Sequence, residues 1–123
     1  MQRRAIALAQ QMMDMARRGD TEKLMPLLDA GIPVEMADTS GNSLLMLAAY
    51  NGHPGTVRAL IERGADVNRL NDRGQSPLAG VVFKGEDEVV QVLLEAGADP
   101  DAGTPTARAT AQMFERPDLI PPA

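Results

Sequence analysis

His53 is the only histidine in the chain, and there is no cysteine. General acid–base chemistry needs a titratable group held within hydrogen-bond reach of the proton it moves. Nucleophilic chemistry needs such a base beside an activated hydroxyl or thiol. With one histidine and no thiol, the sequence offers no Ser-His-Asp or Cys-His set. A disulfide framework and a thiolate metal site are ruled out by composition. Asp66, Asp72 and Asp99 could be imagined around a cation, but they fall at turn-forming phases, where Asp bonds its own backbone. Gly97-Ala98-Asp99 and Gly103 lack the strand–loop–helix setting of a phosphate-binding loop. Met12, Met13 and Met15 could be soft ligands for haem or copper, yet methionine at helical spacing is more often core filler. These residues therefore yield no catalytic group, no metal ligand and no cofactor site.

The bulk numbers define what must position any site. At 123 residues the chain is long enough for one domain with a real core. Hydrophobic residues make up 44% but aromatics only 2%, so that core is Leu, Val, Ala and Met. A net charge of −5 argues against general nucleic-acid binding. Arg3 and Arg4 before Ala5-Ile6-Ala7-Leu8-Ala9 resemble the start of a signal peptide, but the run stops at Gln10-Gln11. Nothing reaches transmembrane length. The expected location is the cytoplasm, where thiol-free chains are unremarkable.

The pattern predicts a helix over 2–18, with Ala5, Leu8, Ala9, Met12, Met15 and Ala16 on one face. Gly19-Asp20 ends it. A second helix covers about 21–30, capped by Thr21 or Asp20, with Leu24, Leu27 and Leu28 buried. Sliding the sequence by 33 residues superposes Gly19, Gly52 and Gly85; Gly31, Gly64 and Gly97; Leu27, Leu60 and Leu93; and Gly41 with Gly74. A fixed period of that size marks a repeat architecture. Ser43 and Ser76 stand where first helices begin and can cap them. Pro77 takes the first helical position, where a missing N–H costs nothing. Ala48-Ala49 keep one first helix slim, and Asp66 and Asp99 begin the turns between repeats. The last copy is a stub: Thr110 caps a helix over 111–115, Arg116-Pro117 stops it, and 118–122 cannot form another.

The segments DTSGNSLLMLAAYNGHPGTVRALIERGADVN and NDRGQSPLAGVVFKGEDEVVQVLLEAGADPD resemble ankyrin repeats, through Gly, Ser-Leu-Leu or Ser-Pro-Leu, Ala-Ala, Gly-His, paired aliphatics and Gly-Ala-Asp. The resemblance covers about residues 10–116. It implies an all-α solenoid of stacked helix–turn–helix units forming one domain over 1–123: a capping repeat (1–37), two full repeats (38–70 and 71–103) and a half-repeat cap with tail (104–123). It also implies that His53 is a turn residue bonded to backbone. The family's usual histidine after the Pro-Leu pair is replaced by Met46 and Ala79. The run Ala79-Gly80-Val81-Val82 inverts the sizes of Met46-Leu47-Ala48-Ala49, which reads as volume compensation.

In that architecture the ends of the first helices and the turn tips line a concave face. The candidate partner-binding residues are Arg17, Arg18, Tyr50, Asn51, Phe83 and Lys84, with Thr39, Ser40, Asn42, Asp72, Arg73 and Gln75 at the tips. This stripe holds four cations against one acid, while the second-helix side is acidic. The resemblance implies a non-enzymatic interaction module, such as an adaptor, an inhibitor or an immunity-type antagonist, and the cations of the stripe point to a protein partner with an acidic contact surface. The alternatives are an accessory protein handling a small ligand such as haem, and weak nucleic-acid binding through Arg17, Arg18, Arg73 and Lys84. A monomer is expected. A dimer through Met113, Phe114, Leu119 and Ile120 is the alternative, unless these pack on Val81, Val92 and Leu93.

Overall fold

The structure, a computed structural model, describes residues 2–122. Its helices are α1 (Gln2–Arg18), α2 (Thr21–Asp29), α3 (Leu44–Tyr50), α4 (Pro54–Glu62), α5 (Pro77–Lys84), α6 (Asp87–Glu95) and α7 (Ala107–Met113), followed by a 3₁₀ turn at Pro117–Leu119. Helices α1, α3, α5 and α7 stack side by side in one layer, and α2, α4 and α6 form the layer behind them. Each pair α1–α2, α3–α4 and α5–α6 is one antiparallel hairpin. Gly52 and Gly85 close the turns inside two of the hairpins with φ of 76° and 73°, a region that favours glycine. The chain is an all-α repeat solenoid.

The core runs continuously between the layers, from Met12, Ala16, Leu24 and Leu28 through Leu44, Leu45, Val57 and Leu60 to Leu78, Val81, Val90, Leu93 and Ala107. Such a stack is stable because each repeat buries its neighbour's apolar face. Helix α1 has 17 residues but lies against the 7-residue α3, so its first turns extend beyond that helix. Ala5 is consequently exposed, although its phase matches the buried face, and Leu8 and Ala9 are only partly covered. Met13 is buried, and Leu27 is half-buried while Met25 takes a core position.

The predicted caps at Ser43 and Ser76 form: their hydroxyls accept from the N–H of Met46 (3.2 Å) and Ala79 (3.1 Å). The start of α2 differs. Asp20 occupies the cap position, but its side chain makes no capping bond. Its carboxylate faces Arg18 at 3.2 Å, and the Thr21 hydroxyl shares a 2.6 Å hydrogen bond with Thr56 of the next repeat. The last helix also differs. Thr106, not Thr110, caps α7 by accepting from the N–H of Ala109 (3.0 Å). Thr110 lies inside the helix, and its hydroxyl donates to the Thr106 carbonyl at 2.8 Å. The tip before α7 is three residues shorter than the tip before α5, so a gapless 33-residue slide passes over the true cap. Leu119 and Ile120 are buried in the core cluster, with the 3₁₀ turn lying against α7, whereas Met113 is 70% and Phe114 45% exposed.

Polar side chains tie successive repeats together at regular positions. The Glu35 carboxylate accepts from the backbone N–H of Asp66 at 2.6 Å and meets the Arg69 guanidinium, which also donates to the Glu35 carbonyl. Asn68, one period later, accepts from the N–H of Asp99 at 2.7 Å. Between the ends of α2 and α4 Arg63 forms a two-point contact with Asp29, at 2.8 and 3.2 Å.

Candidate functional site

The ends of α3 and α5 and the first turns of α7 lie beside the tips. Between α3, α5 and the start of α7 lies a groove of about 240 Å³ lined by Tyr50, Gln75, Ala79, Gly80, Phe83, Lys84, Pro105 and Thr110. Gly80 gives the groove its shape. A Cβ there would lie 2.6 Å from Cζ and 2.8 Å from Oη of Tyr50, so the phenol ring lies where a larger side chain would stand. The inverted sizes of 79–82 are therefore matched by a ring from the preceding repeat. Tyr50 is half-buried in this seat, its hydroxyl 3.5 Å from the Ser76 carbonyl. Burial pushes the phenol's pKa up, so the group remains an O–H donor at neutral pH.

Phe83 forms the outer wall and is 67% exposed. Its ring meets Phe114 edge-to-face, with centroids 5.5 Å apart and an interplanar angle of 66°. Lys84 is exposed beside it and forms no ion pair among the described residues.

The remaining candidate residues divide among other places. Arg17 and Thr39 line a separate hollow against α1, together with Asp14 and Asp38. There Arg17 is paired with Asp14 at 2.7 Å and with Asp38 at 3.8 Å. Arg18 turns to Asp20. The expected excess of four cations over one acid is thus corrected: of those four, only Arg73 and Lys84 lack a carboxylate partner among the described residues. Asn51 satisfies its own helix, its amide donating to the Leu47 carbonyl at 2.7 Å. Ser40 and Asp72 join adjacent tips by an N–H of Asp72 to the Ser40 carbonyl at 3.1 Å. Gln75 accepts from Asn71 at 2.8 Å.

The tips rest on two side chains of equal phase. Asp38 accepts from the N–H groups of Ser40 and Asn42, each at 2.9 Å. Asn71 accepts from those of Arg73 and Gln75, each at 3.0 Å. Burial works to raise the pKa of Asp38. The backbone donors of Asn42 and Ser40, the Asn42 amide and the Arg17 charge outweigh it and hold the carboxyl below its usual value. Gly80, Pro105 and Phe114 escaped the sequence reading as site residues. The inverted sizes at 79–82 were the signal that could have found Gly80.

His53 sits over the turn of the preceding repeat, its Nε2 2.7 Å from the Arg17 carbonyl. A carbonyl only accepts, so Nε2–H donates, and the histidine is bonded to backbone as expected. Asp66 and Asp99 cap their own turns, accepting from the N–H of Asn68 and Asp101 at 2.8 Å. Among the described residues no group of three His, Asp or Glu is placed to hold a metal ion. Met12 and Met13 are buried in the core. None of the described helices is long and apolar enough to cross a membrane.

Two layers of stacked helical hairpins joined through tips, with a groove between α3, α5 and α7, define a helical repeat protein. The chain belongs to the ankyrin repeat family: the family model matches residues 12–104 with three copies. Repeats of this family generally mediate protein–protein interaction. A stretch of 48 residues is 48% identical to part of an ankyrin repeat protein of Pseudomonas aeruginosa, covering 39% of this chain. The match spans 28% of that relative's length.

Proposed function

We propose that the chain, acting as a single unit over 1–123, is a non-enzymatic module that binds a protein partner through its concave groove and neighbouring tips. The observation that carries this reading is Phe83: a large aromatic side chain, 67% exposed, held in place by Phe114 at the mouth of a groove whose opposite wall is Tyr50. Aromatic side chains dominate interface energetics, and a chain with 2% aromatics has placed all three of them here. The tip residues Arg73 and Gln75 extend the surface, while Arg17, Arg18, Thr39, Ser40, Asn42, Asn51 and Asp72 serve the frame or its rim. Adaptor, inhibitor and antagonist are versions of this one activity.

The test is affinity capture from the native cell extract with the wild-type chain and with a Tyr50→Ala/Phe83→Ala double variant of unchanged helicity. A partner held by wild type and lost by the double variant is expected, since one true anchor is worth about 2 kcal/mol or more. Equal recovery by both proteins would overturn the groove as the binding site.

A further inference from the structure

We infer that the groove receives one bulky apolar side chain of a partner protein, flanked in the partner's sequence by Asp or Glu; this rests on the protein-binding reading above.

Size gives the first reason. Pockets for drug-sized molecules span about 300–1,000 Å³. A groove of about 240 Å³ suits a single large side chain instead. The second reason is that its aromatic walls are receptors rather than probes. Tyr50 is seated over Gly80, and Phe83 meets Phe114 edge-to-face, so neither ring occupies the hollow between them and it is open to a side chain from outside.

The third reason is chemical polarity. No acidic residue lines the groove, and Lys84 is its one cation. Among the described residues Lys84 has no carboxylate within ion-pair distance. The hollow beside α1 shows the opposite arrangement, where Arg17 is neutralised by carboxylates of the same hollow. Gln75 adds to the donor character. Its carbonyl is used by Asn71, which leaves its NH₂ free of any partner among the described residues. The Tyr50 hydroxyl has the Ser76 carbonyl as its acceptor. The two side-chain donors of the groove left without an acceptor among the described residues are the Lys84 ammonium and the Gln75 amide. They select an acceptor, and a carboxylate satisfies both charge and hydrogen bonding.

Panning a displayed library of random peptides on the full chain tests this. The best peptide is then titrated by amide NMR into wild type and Lys84→Glu. Enriched peptides should carry a large apolar residue beside Asp or Glu. Shifts should cluster at Gln75, Gly80, Phe83 and Lys84, and Lys84→Glu should weaken binding by about tenfold. Enrichment of peptides without acids, or equal affinity for Lys84→Glu, would overturn the inference and leave protein binding intact. Shifts confined to the α2–α4–α6 side would overturn both. An unenriched library would refute recognition of a linear segment, with the capture experiment deciding protein binding separately. Concentration-dependent shifts of the groove amides without peptide would make a second copy the occupant and also overturn the inference.

Discussion

Asp38 and Asn71, one period apart, are joined through a single side chain. The amide nitrogen of Asn42 donates to Asp38 at 3.2 Å, and its oxygen accepts from Asn71 at 3.0 Å. A carboxylate starts the chain and a neutral amide continues it. Only an amide can accept from its own tip N–H groups while also donating to Asn42 and Gln75.

Replacing Asn71 by alanine removes four hydrogen bonds from a buried position. The stranded N–H and carbonyl groups lie near the surface and are partly rehydrated. The expected loss is therefore about 2 kcal/mol, read from urea unfolding. A loss within experimental error would show that the tips are not tied through this residue.

Asp38 makes stability depend on acid. Its folded pKa lies below the unfolded value of about 3.9. The contribution is therefore fully present above about pH 4 and is lost as pH falls through the folded pKa. Asp38→Asn should flatten the decline of the melting temperature at low pH. Parallel curves for the two proteins would contradict the assignment. Asp29, Asp101 and Asp118 are also depressed, each first through hydrogen bonding to an arginine, but these pairs are solvent-screened.

Gly80→Ala should change sign with its background. With Tyr50 present, the new methyl displaces the ring and the variant is less stable than wild type. In a Tyr50→Ala background the same change should stabilise by about 1 kcal/mol, the helix preference of alanine over glycine. A double-mutant cycle by thermal unfolding reads the coupling. Additive effects would show that the ring and the glycine are independent.

Capping of α7 distinguishes two threonines. Thr106→Ala should cost about 1 kcal/mol and loosen the helix, seen as faster amide exchange at Ala109. Thr110→Val should cost less, because the Thr106 carbonyl keeps its bond from the Thr110 N–H at 3.0 Å. The reverse ranking would restore Thr110 as the cap.

The repeat was legible because stacking demands the same residue types at the same phase. Leu27, Leu60 and Leu93 recur every 33 residues, and Ser43 and Ser76 cap as their positions require. What escaped was whatever breaks the period or crosses between copies. A shortened tip moved the last cap to Thr106. The seat of Tyr50 over Gly80 joins residues 30 positions apart rather than 33, so superposing copies never aligned them. The charges of Arg17 and Arg18 were visible, but their pairing with Asp14, Asp38 and Asp20 depends on rotamers that a sequence does not display.

The linked tips have a kinetic consequence. A loop that is ordered only on contact slows association and carries an entropic penalty of about 0.5–1.5 kcal/mol for each side chain immobilised. Asp38, Asn42 and Asn71 already hold the tips of two successive repeats in one geometry. An encounter with a partner therefore meets a surface set before it arrives, and changes in affinity among surface variants should appear mainly as changes in residence time.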